Sequence, residues 1–342
     1  MSAPIRMATV LLICLTTIFA VGPVGAQHGR DTPPAGVGAQ PSGADPTAES
    51  VTESELLNEI GKLQGRVTIP DGKAAILVQP QGRTYQSFHE RWLPWIGAVV
   101  ILGMAIALAV FYLINGRIPF GARPSGRTIV RFNRLERFNH WMTAASFIVL
   151  AITGLNYVFG KRLLFPLIGP DAFATWSQWA KFAHNAFAFP FMLGIVIMAI
   201  VWLRDNLPDR YDWPWLRSFG GFVSGEHPPA GRFNAGQKLI FWSVVLGGLA
   251  LSASGLVMLF PFALVDINGM QVAQYVHAFS AVALIAIILA HIYIGTIGMV
   301  GAFEAMESGR VDIEWARTHH SAWIPPDDPD LPERTGARVP AE

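Results

Sequence analysis

Five uncharged stretches, 92–114, 138–160, 182–203, 239–265 and 267–303, each reach the roughly 20 apolar residues that a helix needs to span a bilayer. Within lipid a spanning segment satisfies its own backbone hydrogen bonds, and for runs of this length that means an α-helix. Only 14% of the 342 residues are charged and 52% are hydrophobic, against about 25% charged in soluble domains. The sequence therefore describes an integral membrane protein built of helices. A net charge of +1 gives no reason to expect a nucleic-acid partner. The one cysteine, Cys14, lies in the N-terminal apolar segment, so neither a disulfide nor a cysteine-ligated iron–sulfur cluster can be built from this chain alone.

Residues 1–26 read as a secretory signal: Arg6, an apolar stretch from Met7 to Val21, then Val24-Gly25-Ala26 as a small-residue cleavage site. An uncleaved anchor helix is the competing reading. Residues 27–91 form an external extension, Pro- and Gly-rich to about residue 50. Alternation in Arg66–Ile69 and Ala75–Val78 around Pro70-Asp71-Gly72 suggests a small hairpin. Basic residues set the orientation. Segment 115–137 carries Arg117, Arg123, Arg127, Arg131, Arg134 and Arg137, and the loop 204–238 carries Arg204, Arg210, Arg217, Arg232 and Lys238. The segment 161–181 has only Lys161, Arg162 and Lys181, and the linker near Asp266 has no basic residue. An external N-terminal region, five crossings and a cytoplasmic tail over 326–342 satisfy that alternation. Trp92, Trp95, Trp141, Trp202 and Trp242 fall near segment ends, as aromatic belts do.

Four histidines lie inside or at the mouths of these spans: His140, His184, His277 and His291. Ionisable side chains in lipid are costly and mark a functional path or a ligated cofactor. His277 and His291 are fourteen residues apart on one segment. On a helix that turns about 1400°, some 40° short of four full turns, over roughly 21 Å of axis. The two imidazoles thus share a face at two depths of a ~30 Å hydrocarbon layer. The proposed topology places His140 and His291 near the cytoplasmic face and His184 and His277 near the outer face. That arrangement matches two b haems, each held between two neutral imidazoles whose second ring N–H goes to a backbone carbonyl. Ala144, Gly154, Gly194, Ala278 and Ala281 are candidates for making room between the helices. Zinc needs three or four ligands, and each pair supplies two. His227, His319 and His320 lie in charged surroundings and read as solvated loop histidines; His28 and His89 show no partner pattern.

Directly before the fourth span stands Phe233-Asn234-Ala235-Gly236-Gln237-Lys238. Asn234 suits a helix cap beside a flexible glycine. A side-chain amide or an exposed backbone N–H at this end also suits a quinone carbonyl, and the residues alone leave the two readings open.

Several strings resemble the γ subunit, the cytochrome b subunit, of membrane-bound respiratory formate dehydrogenase. They are Arg137-Phe138-Asn139-His140-Trp141, Lys181-Phe182-Ala183-His184, Asn234-Ala235-Gly236-Gln237-Lys238 with Phe241-Trp242, His277-Ala278, His291-Ile292-Tyr293, and the run Trp315 to Trp323 with His319-His320 at its centre. The match covers roughly 130–325. The resemblance implies a four-helix transmembrane di-haem cytochrome b bundle in the bacterial inner membrane, with 92–114 as one extra N-terminal helix. It implies His184 and His277 on the outer haem, His140 and His291 on the inner haem, and a quinone site lined by Asn234 and Gly236. It also implies an iron–sulfur β subunit and a molybdenum- or tungsten-pterin α subunit as partners, with formate oxidised there and not on this chain. A cytochrome b subunit of a hydrogenase or thiosulfate reductase is the alternative in the same class, and a haem-free membrane anchor or transporter the alternative from another.

The loop charges generate a direct test. A topology reporter fused after residue 120 is expected to read as cytoplasmic, one after 170 as external and one after 220 as cytoplasmic. An external signal at 120 reverses the assignment.

Overall fold

The computed structural model describes residues 80–221 and 228–324. The signal segment, the hairpin expected between Arg66 and Val78, His227 and the tail 326–342 lie outside the described residues. Two compact units divide the chain: the described part of Met1–Trp92 with Val257–Ala273, and Leu93–Leu256 with Gln274 onward. In the first, α1 (Pro80–Ser87) passes into a π-helical turn, Phe88–Trp92. At its other segment the Asp266 carboxylate accepts from the Gly269 N–H at 2.9 Å and so starts a helix.

The second unit holds the bundle. Its long helices are α2 (Leu93–Asn115), α3 (Arg134–Leu163), α4 (Phe165–Trp202), α6 (Ala235–Leu259, after the short α5 at Asp212–Arg217) and α7 (Ile267–Tyr293); the last turns of α6 and the first turns of α7 belong to the other unit. Among the described residues five helices are long and apolar enough to span a membrane. Lipid offers no hydrophobic drive for helix pairing, so close packing at small residues does that work. On α6 the adjacent Gly247 and Gly248 admit two neighbours at once: a Cβ on Gly248 would lie 2.7 Å from Ile195 Cδ1 of α4, and one on Gly247 would collide with Leu284 of α7. On α4, Gly194 faces Thr143 of α3 too closely for any side chain, and its carbonyl accepts from Asn139 Nδ2 at 3.0 Å. Gly169 has φ +79°, which breaks α4 into a single turn and the long helix from Pro170. α2 rests on the bundle through Gly97 against Phe159 and through Phe111 and Tyr112, edge-on to Tyr293.

One end of the bundle carries a small cap, whose two strands are a departure from all-helical structure among the described residues. Strand β1 (Thr128–Val130) pairs antiparallel with β2 (Arg310–Asp312), Ile129 opposite Val311, flanked by α8 (Glu304–Glu307) and α9 (Ile313–His319). Asn133 and Glu136 form a reciprocal capping box at the start of α3. Glu136, 6% exposed, also accepts from Trp202 Nε1 and from Arg232, both at 2.7 Å. Trp202 is therefore buried and turned inward. Trp141 donates to Met306 O of α8 and so ties α3 to the cap, while Trp202 ties α4 to α3 and Trp242 ties α6 to the turn after α4; Trp92 and Trp95 are exposed.

His319 and His320 depart from the expected solvated state. His320 is 1% exposed, with Nδ1 2.7 Å from Gly231 O and its ring against Trp315 and Trp323. His319 Nε2 lies 3.1 Å from Phe120 O. Beside them Arg131, 3% exposed, stacks over Phe132, Trp315 and Trp323 and donates to Arg232 O at 2.7 Å. Burial, and then the neighbouring Arg232, lower its pKa to about 9. Charged local sequence hid this burial because the aromatic rings that enclose it come from separate segments.

Burial, followed by the charge of Arg131, holds His320 well below the usual histidine range, against the raising effect of Gly231 O. The folded state keeps it neutral while the unfolded state protonates near pH 6.5. The stability it contributes is therefore full above about pH 6.5 and falls as the pH drops below that value. The hydrogen-exchange protection factors over 313–323, corrected for the intrinsic rate at each pH, are expected to fall from pH 7.5 to pH 5.5, and less so in His320→Gln. Equal protection factors at both pH values in the unmodified chain would contradict the linkage.

Candidate functional site

Helix α7 presents His277 and His291 as the fourteen-residue spacing requires, and each meets a histidine from another helix. The rings of His291 and His140 (α3) have centroids 6.1 Å apart at an interplanar angle of 62°. Those of His277 and His184 (α4) are 6.2 Å apart at 57°. A metal–imidazole bond is about 2.0–2.1 Å and a ring centroid lies about 1.1 Å behind its nitrogen, so two imidazoles on one metal have centroids about 6.3 Å apart. Both pairs have the spacing at which two imidazoles would hold one haem iron between them. Zinc fits less well, because among the described residues no three His, Cys, Asp or Glu side chains gather.

The second ring nitrogens separate the pairs. His184 Nδ1 lies 2.7 Å from Thr153 Oγ1, whose hydroxyl reaches Val149 O at 2.7 Å. His277 Nδ1 lies 3.0 Å from Ser254 Oγ, which reaches Ala250 O at 2.6 Å. With each hydroxyl proton given to the helix, the ring Nδ1–H donates to the hydroxyl oxygen and Nε2 keeps its lone pair for a metal. A backbone partner of the expected kind is also present, Leu150 for His184 and Leu251 for His277, so each ring is held by a helix backbone and by the neighbouring hydroxyl together. Each hydroxyl precedes a glycine, Gly154 beside His184 Cε1 at 3.7 Å from a would-be Cβ and Gly255 beside His277 Cε1 at 3.4 Å. Thr153-Gly154 and Ser254-Gly255 were the readable signal for these positions. Gly194, a candidate for making room between the helices for a haem, lets α4 approach Thr143 closely. His140 stacks edge-on with Trp141 at 5.1 Å, and its Nδ1 is buried with no hydrogen-bond partner among the described residues.

At the cap end, Asn234 is an N-cap. Its Oδ1 accepts from the Gln237 N–H at 2.9 Å while Gln237 Oε1 accepts from the Asn234 N–H at 3.0 Å. The cap engages Oδ1 and leaves Nδ2, the atom that donates, so capping and ligand binding are compatible. The N–H of Gly236 belongs to the first helical turn, where backbone donors lack intrahelical acceptors. Gly236 also meets Trp215, whose Cη2 would lie 2.7 Å from a Cβ there, and Gly220, at φ +65°, crowds the other side of the same indole. Lys238, 5% exposed, binds Asp209 at 2.8 Å and Asp212 at 2.9 Å. Burial raises the Asp209 pKa, but the Lys238 hydrogen bond, the Tyr211 N–H and the Lys238 charge outweigh it and hold the carboxyl below its usual range.

Residues 131–309 match the family described as prokaryotic cytochrome b561. Over 200 residues the chain is 33% identical to the formate dehydrogenase cytochrome b556(fdo) subunit of Escherichia coli K12, covering 57% of this chain and 92% of that protein. It is 30% identical over 203 residues to the nitrate-inducible formate dehydrogenase cytochrome b556(Fdn) subunit of the same strain, covering 58% and 90%. With the formate dehydrogenase cytochrome b556 subunit of Haemophilus influenzae it shares 27% over 201 residues, covering 57% and 82%.

Proposed function

This chain belongs to the prokaryotic cytochrome b561 family, and we propose that it is the membrane-anchoring, di-haem cytochrome b subunit of a formate dehydrogenase, passing electrons across the membrane to quinone. The observation that carries this reading is the pair of facing imidazoles at each of two levels along α7, with centroids 6.1 and 6.2 Å apart. His184 and His277 would hold one haem b, His140 and His291 the other. Haem b supplies one-electron redox chemistry when bound. The chain's own part is to hold the imidazoles neutral and oriented through Thr153 and Ser254, and to keep water from them with apolar helices. The names of the relatives support formate dehydrogenase over a hydrogenase or thiosulfate reductase. On that reading an iron–sulfur subunit delivers the electrons and a molybdenum- or tungsten-pterin subunit oxidises formate. The basic loops favour a bacterial inner-membrane orientation with the Asn234 end and the C-terminus cytoplasmic. Quinone would bind at the start of α6, its carbonyl accepting from Asn234 Nδ2 and the Gly236 N–H in the positive field of the helix N-terminus.

Redox titration of the visible b bands tests the ligand assignment. His184→Ala or His277→Ala is expected to remove one b component and spare most of the other, and His140→Ala or His291→Ala to do the converse. Two intact components in His277→Ala would overturn it.

Asn234→Ser tests the quinone site. Serine caps about as well as asparagine but is too short to donate to the same carbonyl. Losing one such bond costs about 0.5–1.5 kcal/mol, so haem reoxidation by quinone is expected to slow about two- to tenfold, with haem reduction by formate unchanged. Reoxidation at the unmodified rate would move the site away from Asn234.

A further inference from the structure

We propose that Lys238, paired with Asp209 and Asp212, is the proton-entry group for quinone reduction at the start of α6; this rests on the quinone reading given above. Lys238 is four residues beyond Asn234, so the two share one face of the helix. Helical side chains lean toward the N-terminus, which brings the ammonium alongside the first turn, where the Asn234 amide and the Gly236 N–H stand. Its two carboxylate partners lead outward. The Lys238 side chain is 7% exposed, and that of Asp209 is 39% exposed. Water thus reaches the buried ammonium through one carboxylate.

A purely structural role explains this arrangement less well. Buried ion pairs add little net stability, because desolvation offsets their attraction. The segment that carries the two aspartates is already shaped by its own bonds, Asp209 N–H to Asp212 Oδ2 at 2.8 Å and Tyr211 N–H to Asp209 Oδ1 at 2.7 Å. Four other basic groups at this end are engaged elsewhere. Arg131 donates to Arg232 O, Arg232 pairs with Glu136 and Asp205, Arg210 donates to Tyr211 Oη, and His320 holds Gly231 O. Among the described residues, Asp209 and Asp212 are the charged partners of Lys238.

The chemistry balances. Quinone takes two electrons, supplied by the electron-transfer role above, and two protons, one on each of its oxygens. At the oxygen beside the start of α6 an N–H bond of Lys238 breaks and an O–H bond forms; the other oxygen takes its proton from water. The neutral amine then regains a proton from solvent by way of Asp209 or Asp212.

The test uses the purified complex with its haems reduced by dithionite, mixed with a short-chain ubiquinone and, in parallel, a short-chain menaquinone, over a range of pH in H2O and D2O. Lys238→Arg keeps the charge and the pairing but cannot release its proton. It is expected to slow reoxidation about a hundredfold, in line with the loss of a general acid, and to enlarge the solvent isotope effect. Binding of a non-reducible quinone analogue, read by calorimetry, should be unchanged. Asp209→Asn, at the exposed end, is expected to slow reoxidation more steeply as pH rises. Lys238→Arg reoxidised at the unmodified rate overturns the inference alone. An unmodified protein reoxidised by neither quinone overturns the quinone reading and the inference with it.

Discussion

An imidazole inside a hydrocarbon layer has no water to take its N–H, so an acceptor must come from the helices around it. In this protein Thr153 and Ser254 answer that constraint for His184 and His277 by accepting from the ring and donating onward to Val149 O and Ala250 O. Much of the bundle geometry follows. A hydroxyl on α3 must reach an imidazole on α4, and a hydroxyl on α6 one on α7, so those helices lie close at that level. Gly154 and Gly255, next to the hydroxyls, leave the rings their space. Ligand orientation and helix packing are thereby one set of contacts, as expected where hydrogen-bonded outer partners fix a metal-binding ring.

At the other level the protein solves a different problem. His140 lies one turn inward from Glu136, whose carboxylate joins Trp202, Arg232 and the N-cap of α3. Arg232 continues to Asp205 and to the backbone of Arg131, which the rings of Phe132, just past β1, Trp315 on α9 and Trp323 after α9 enclose. A desolvated cation over such rings gains about 2 kcal/mol. The segment before Asn234 is held between this network and the His320 contact to Gly231. The start of α6 is therefore placed by residues more than a hundred positions before it and nearly ninety after it.

That placement gives the cap end its mixed character. A helix N-terminus and a buried ammonium lie four residues apart, the exposed carboxylate of Asp209 reaches them from 29 residues earlier in the sequence, and Trp215 covers the glycine beside Asn234. The sequence reading treated Asn234 as either a cap or a donor. The structure shows that the two uses fall on different atoms of one side chain, so the choice was not forced.

The sequence by itself determined the spans, because an uncharged run of this length leaves the backbone only a helix to form. It also determined the spacing of His277 and His291 on one face, since helical rise and turn are fixed by covalent geometry. Tertiary structure alone decided which atoms complete those sites. The Thr153 and Ser254 partners, the use of Gly194 for helix contact, the inward turn of Trp202 and the burial of His319, His320 and Arg131 all depend on segments far apart in the chain. Local periodicity encodes which face a residue occupies, whereas the partner across that face is set by how the helices meet, and a single sequence states this only in hints such as Thr153-Gly154 and Ser254-Gly255.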